Sequence, residues 1–213
     1  MSGWLFTFER RLAWERRRRW AIALLGAYLV LYWLDRALFH RLYVGGAGRG
    51  AFEAMGPAAM AKSAGYLPVW LALGATLALV RRGADGARVA GAAALGGALA
   101  EALRPVVAQV RPLYTDGVHR FGHAPGFADG QISFGMPSSH AGVAFGAACM
   151  LVFLYGRAGL VAAAVAAGCG VERMMAGSHF ATDVYVGALL GYASARLLRP
   201  GGWRGRHRGL MLP

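Results

Sequence analysis

His179 and Asp183 stand four residues apart, the spacing that puts two side chains on one face of a helix. A carboxylate can take the proton of one imidazole nitrogen. That fixes the tautomer and leaves the other nitrogen as nucleophile or base. The same pair could equally lock two helices together. Pro137-Ser138-Ser139-His140 is a second group. Serines behind a proline are good N-caps, and a helix N-terminus with hydroxyls and free N–H groups is an anion site. Ordinary capping would use the serines but leaves His140, in the first turn of an apolar stretch, unexplained. Arg104, Arg111 and Arg173 are a third group. Three planar cations at one cavity would repel one another, and a phosphate resolves that conflict through bidentate contacts. Any one of them alone could instead snorkel to headgroups.

The segments that carry these residues are apolar. Of 213 residues 57% are hydrophobic and only 15% charged, and the mean hydropathy is +0.42. A soluble domain carries nearer a quarter charged residues. Glycine is frequent but has no Gly-X-Y period, which excludes collagen. Apolar runs recur at 20–34, 64–80, 89–103, 141–155, 158–171 and 180–198. A bilayer core needs about 20 apolar residues, and flanking residues extend the shorter runs to that length. The runs at 64–80, 141–155 and 158–171 hold no charge, so none has the polar face of a soluble bundle helix. The expected fold is an all-α, polytopic membrane bundle of about six transmembrane helices.

Net charge is +13, and every basic residue but Lys62 is arginine. A basic chain can bind nucleic acid, yet no groove-reading element accompanies these arginines, so no nucleic-acid partner is expected. Arginine placement instead sets orientation. With the N-terminus cytoplasmic, 15 of the 23 basic residues fall on the cytoplasmic side, including Arg16 to Arg19, Arg157 and Arg199. Both termini are then inside, with a basic segment at 1–19 and a basic tail at 199–213 lying against anionic headgroups. Arg104, Arg111, His140, Arg173, His179 and Asp183 all fall at one depth near the outer face. Ionisable residues in that position are a functional signal by default. Arg16 to Arg19 ahead of the first run, with no A-x-A site behind it, argue against a cleavable leader.

Two segments do not span. Residues 36–63 mix polar and apolar positions and form either an interfacial amphipathic helix or a plain loop. Residues 112–136, rich in Gly, His and aromatics, form a connection of a length that is usually functional or mobile. Phe121, Phe127, Phe134 and Met136 there either shape an entry or pack the loop. Asp116, His119, His123 and Asp129 match no standard metal-ligand spacing, so no metal is expected. Cys149 and Cys169 lie in apolar runs and read as small buried hydrophobes. No repeat or linker divides the chain, and 1–213 reads as one domain.

Arg104-x6-Arg111-Pro112, then Pro137-Ser138-Ser139-His140, then Arg173-x5-His179-x3-Asp183 resemble, in order and spacing, the three signatures of the type 2 phosphatidic acid phosphatase superfamily. The resemblance covers Arg104 to Asp183. The chain departs from the usual pattern at three places: Arg104 stands for a lysine, Ser139 for a glycine and Glu172 for a serine. The resemblance implies that His179 attacks phosphorus to form a phosphohistidine and that Asp183 holds its imidazole. His140 would protonate the leaving oxygen and then deprotonate water. Arg104, Arg111, Arg173, Ser138 and Ser139 would bind the phosphoryl oxygens, supplying the charge neutralisation a metal provides elsewhere. The implied function is metal-independent, cofactor-free hydrolysis of a lipid phosphate or diphosphate at the outer face of a bacterial inner membrane. Undecaprenyl diphosphate, phosphatidylglycerol phosphate, phosphatidic acid and lipid A phosphates all remain open. A lipid phosphotransferase would use the same residues. A non-catalytic anion or lipid transporter would not need the ordered triple motif.

Overall fold

The structure, a computed structural model, describes residues 2–45, 48–122 and 133–200, with side chains described from residue 14 onward except at 49. The chain is helical in eight segments among these residues: α1 (Ser2–Leu42), α2 (Gly48–Ala54), α3 (Gly56–Ser63), α4 (Leu67–Leu79), α5 (Gly83–Val107), α6 (Ser139–Tyr155), α7 (Leu160–Met175) and α8 (Ala181–Leu198). Extended pairing among them is confined to two isolated antiparallel bridges, Gln109 with Phe121 and Val110 with Phe134.

The six apolar runs correspond to α1 and α4 to α8. Trp14–Leu42, Gly83–Val107 and Ser139–Met175 are long and apolar enough to cross a bilayer, the last of these comprising both α6 and α7. Helix α4 has 13 residues, about 20 Å at 1.5 Å per residue, which is short of a full hydrocarbon core. Two boundaries differ from expectation. The basic segment at 1–19 is helical from Ser2 and continuous with the first apolar run, because arginine and glutamate are good helix formers and no proline intervenes. The segment 36–63 is neither one helix nor a loop: α1 runs on to Leu42, and α2 and α3 follow.

Sequence punctuation sets the ends that matter. Helix α5 stops just past Pro105, where Ala108 takes the left-handed conformation (φ 49°) and its N–H bonds back to the Arg104 carbonyl. Helix α6 starts behind Pro137 with Ser138 as N-cap, its Oγ accepting from the Ala141 N–H at 3.4 Å. A Gly156–Gly159 turn reverses the chain into α7. Gly177, at φ 65°, turns it towards α8.

Helices α5, α6 and α8 pack most extensively, with α4 and α7 against them. Lipid supplies no hydrophobic drive between helices, so small residues and close backbone approach hold them. Gly96 and Gly142 face each other across α5 and α6, and a methyl on either would meet the other's carbonyl oxygen. Ala92, Ala93, Ala144 and Ala147 fill the same seam and are fully buried. Helix α1 packs on α8 and, less, on α7. Its remaining faces, with Trp20, Leu25, Val30 and Trp33, are open to lipid.

Candidate active site

The helices alternate in direction. One end of the bundle therefore collects the finish of α5 and α7 and the start of α4, α6 and α8. All three residue groups meet there. From the end of α5, Arg104 donates Nη2 to Ser139 Oγ at 2.8 Å. The Ser138 N–H bonds the Asp183 carbonyl at 3.0 Å, joining the starts of α6 and α8. The built Cβ position of Gly135 lies 2.8 Å from Asp183 Oδ2, 3.4 Å from Arg111 Cγ and 3.6 Å from His179 Nδ1, so this glycine sits among all three. Near the start of α4, Gly65 presses against the His140 ring, and the Tyr66 ring lies edge-on to it at 5.1 Å.

His179 is buried on the turn before α8, with Nδ1 3.5 Å from Asp183 Oδ2. The second carboxylate contact is firmer: Asp183 Oδ2 accepts the Phe180 N–H at 2.9 Å and so caps its own helix. Burial first, then the fields of Arg111 and Arg104, holds the His179 imidazole well below its ordinary value. It is therefore neutral at physiological pH, with Nδ1 facing the carboxylate and Nε2 left over.

The arginines differ in their partners. Arg104 also pairs through Nη1 with Glu101 at 2.8 Å. Arg173 is gripped at both Nε and Nη2 by the adjacent Glu172 at 2.5 Å, with both side chains buried. Arg111 makes no ion pair among the described residues and donates Nε to the Phe134 carbonyl at 3.4 Å. Burial, and next the Arg104 charge, lower its affinity for the proton. A cation desolvated beside another cation is the electrostatic setting in which an anion binds.

Buried polar atoms usually find a partner. Arg104 Nε, His119 Nε2, His140 Nε2, Ser178 Oγ and His179 Nδ1 have no hydrogen bond among the described residues. Three of these belong to the three motifs, and Ser178 adjoins the third. Ser138 and Ser139 are engaged differently from expectation, Ser138 as a helix cap and Ser139 as the seat of Arg104. Both remain at the site. Of the loop residues weighed as metal ligands, His123 and Asp129 lie outside the described residues. Asp116 is exposed, and no group of three His, Cys, Asp or Glu gathers among the described residues.

Sequence reasoning missed Asp35, Gln109, Gly65 and Gly135. Asp35 had a signal, as an acid closing an otherwise apolar run. Gln109 and the glycines had none, since their importance comes from what folds against them.

Fold and site together define an integral-membrane helical protein with a cluster of histidines and arginines at one end of its bundle. The profile of the PAP2 superfamily matches residues 85–205, and the chain belongs to that family. At the level of class it is a membrane lipid phosphatase. The fold is similar to one described as the "Crystal structure of the first transmembrane PAP2 type phosphatidylglycerolphosphate phosphatase from Bacillus subtilis". The TM-score is 0.56 at 24% identity, over 83% of this chain and 92% of that one. Among curated proteins no sequence matches the chain.

Proposed function

We propose that the protein hydrolyses a lipid phosphate or lipid diphosphate through a phosphohistidine on His179, without a metal. The observation that carries this is the gathering, at one end of the bundle, of partnerless buried polar atoms on Arg104, His140 and Ser178 together with the buried His179 ring. A phosphoryl group offers acceptors for the arginine and serine donors and an electrophile for the imidazole.

In this scheme His179 Nε2 attacks phosphorus in line while the Asp183 carboxylate, beside Nδ1, stabilises the developing imidazolium. The bond from phosphorus to the lipid oxygen breaks, and His140 gives that oxygen a proton. His140 then takes a proton from water, whose oxygen displaces His179 and releases inorganic phosphate. Arg104, Arg111, Arg173 and the N-terminal amides of α6 hold the phosphoryl oxygens. Preorganised donors of this kind usually supply the largest share of catalysis.

The membrane setting favours a phosphate attached to a lipid, and phosphatidylglycerol phosphate is the first substrate to try, given the activity named for the similar Bacillus subtilis protein. The orientation proposed from arginine bias puts the site at the outer face of a bacterial inner membrane. The test is phosphate release from a panel of lipid mono- and diphosphates in mixed micelles, with EDTA present. Turnover by the wild type, abolished in His179→Ala, is expected. Equal turnover in His179→Ala would remove the phosphohistidine, and activity lost in EDTA but restored by Mg²⁺ would remove the metal-free scheme. Label appearing on an acceptor lipid in place of free phosphate would make the protein a transferase.

A further inference from the structure

A second polar cluster lies behind the site. Asp35 sits in α1, 1% exposed, in a helix that otherwise turns apolar residues to lipid. A buried carboxylate persists in such surroundings only when paired and hydrogen-bonded. Its Oδ1 accepts the Thr182 N–H at 3.3 Å and its Oδ2 the Thr182 hydroxyl at 2.5 Å. His119 Nε2 lies 3.3 Å from the same Oδ2, a contact that falls short of a hydrogen bond. The His119 ring is sandwiched between Tyr32 and Phe180, with centroids at 4.3 and 4.2 Å. Its Nδ1 is 3.1 Å from Gln109 Nε2, and that amide nitrogen is also 3.2 Å from Asp183 Oδ1.

The polarity of this chain follows from the chemistry of its members. An amide nitrogen only donates, and it has two hydrogens. One goes to the Asp183 carboxylate. Turning the Gln109 amide over would set its oxygen against that carboxylate, so the nitrogen belongs there. The second hydrogen points at His119 Nδ1, which must accept it. The His119 proton therefore sits on Nε2, facing Asp35. Asp183 is thus held at Oδ1 by Gln109 and at Oδ2 by the Phe180 N–H.

We propose that Gln109, His119 and Asp35 are positioning residues: together they set the plane of the Asp183 carboxylate and, through it, the His179 ring. The proposal rests on the reading above that Asp183 orients His179 for attack. It gives α1, which contributes no residue to the phosphate site, a part in the reaction. A cluster that only ties α1 to α8 would use the Asp35–Thr182 bonds and would have no need of Gln109.

The test uses the full-length protein in detergent. Gln109→Leu removes both donated hydrogens, and His119→Phe keeps the stacking ring without nitrogens. His119→Gln restores an acceptor and a donor. Gln109→Leu should lower kcat about 10- to 100-fold, the loss of one hydrogen bond to a charged group, with KM changed less than about threefold and the unfolding midpoint retained. His119→Phe should lose about tenfold in kcat, and His119→Gln should regain most of it. An unchanged kcat in Gln109→Leu, or equal loss in the two position-119 variants, overturns the relay. Should Gln109→Leu not fold, ¹⁵N NMR of wild-type His119, assigned by difference against His119→Gln, decides: an Nε2–H tautomer supports the relay and an Nδ1–H tautomer overturns it. If the wild type releases no phosphate from any lipid, the phosphatase reading fails by itself, and the tautomer still judges the network.

Discussion

Arg104 and Ser139 are two of the three places where the chain leaves its family's usual pattern, and they are hydrogen-bonded to each other at 2.8 Å. The hydroxyl that replaces a glycine seats the guanidinium that replaces a lysine. The fork also reaches Glu101 through its other terminal nitrogen, a geometry one ammonium cannot reproduce. Arg104→Lys alone should therefore cost about tenfold in kcat/KM, and Ser139→Gly somewhat less, each losing a charge-assisted bond. The double variant should lose less than the product of the two; a double-mutant cycle measures this, and strict additivity would show the residues act separately. Arg111 bears on His179 by its field. Its charge helps hold the imidazole below the ordinary value, so removing it raises the pKa towards that value. The acid limb of kcat/KM, which reports the free enzyme, should move to higher pH in Arg111→Gln. A limb that stays put would assign it to another group.

At the scale of elements, glycines decide how closely the helices approach, and one of them also bears on the chemistry. A methyl at Gly142 would meet the Gly96 carbonyl, which belongs to a packed backbone and cannot yield. Gly142→Ala should destabilise the bundle by about 1 to 3 kcal/mol, the usual cost of overpacking, seen as a lower unfolding midpoint. A methyl at Gly65 would meet the His140 side chain instead. The atoms it would meet include the His140 Cβ, which no side-chain rotation moves, so Gly65→Ala should lower the unfolding midpoint and, by displacing the imidazole, kcat as well. An unchanged kcat in folded Gly65→Ala would show that His140 keeps its place. The helix ends do complementary work. The starts of α6 and α8 bring N–H groups and a positive dipole end to the site, while α5 and α7 bring arginines on their last turns.

For the molecule as a whole, alternation of direction puts every group of the site at one end, and arginine bias proposes which compartment that end faces. Val118 is at the site end and Arg157 at the other. With Cys149 and Cys169 replaced by serine, a cysteine at 118 should react with an impermeant maleimide on intact cells, and one at 157 only after lysis. The reverse pattern would invert the molecule. At the opposite end a cavity of about 360 Å³, lined by Trp70, Leu73, Leu151, Tyr155 and Val165 among others, opens between α4, α6 and α7. It is apolar and remote from the histidines, so it takes no part in the scheme above.

Residue types and spacing in one dimension were enough for the helical membrane class and for the family. Apolar length reports the solvent a segment needs, and motif spacing survives whatever the fold does between motifs. Which partners distant in the chain the motif residues take was decided only in three dimensions. Ser139 turned to Arg104, while Asp183 drew in Gln109, seventy-four positions away. Asp35 and the glycines at 65 and 135 matter through neighbours supplied by distant helices. Spacing along the chain encodes which residues share a helix face, but contacts between helices depend on how closely their backbones pack, and that is a property of the folded bundle alone.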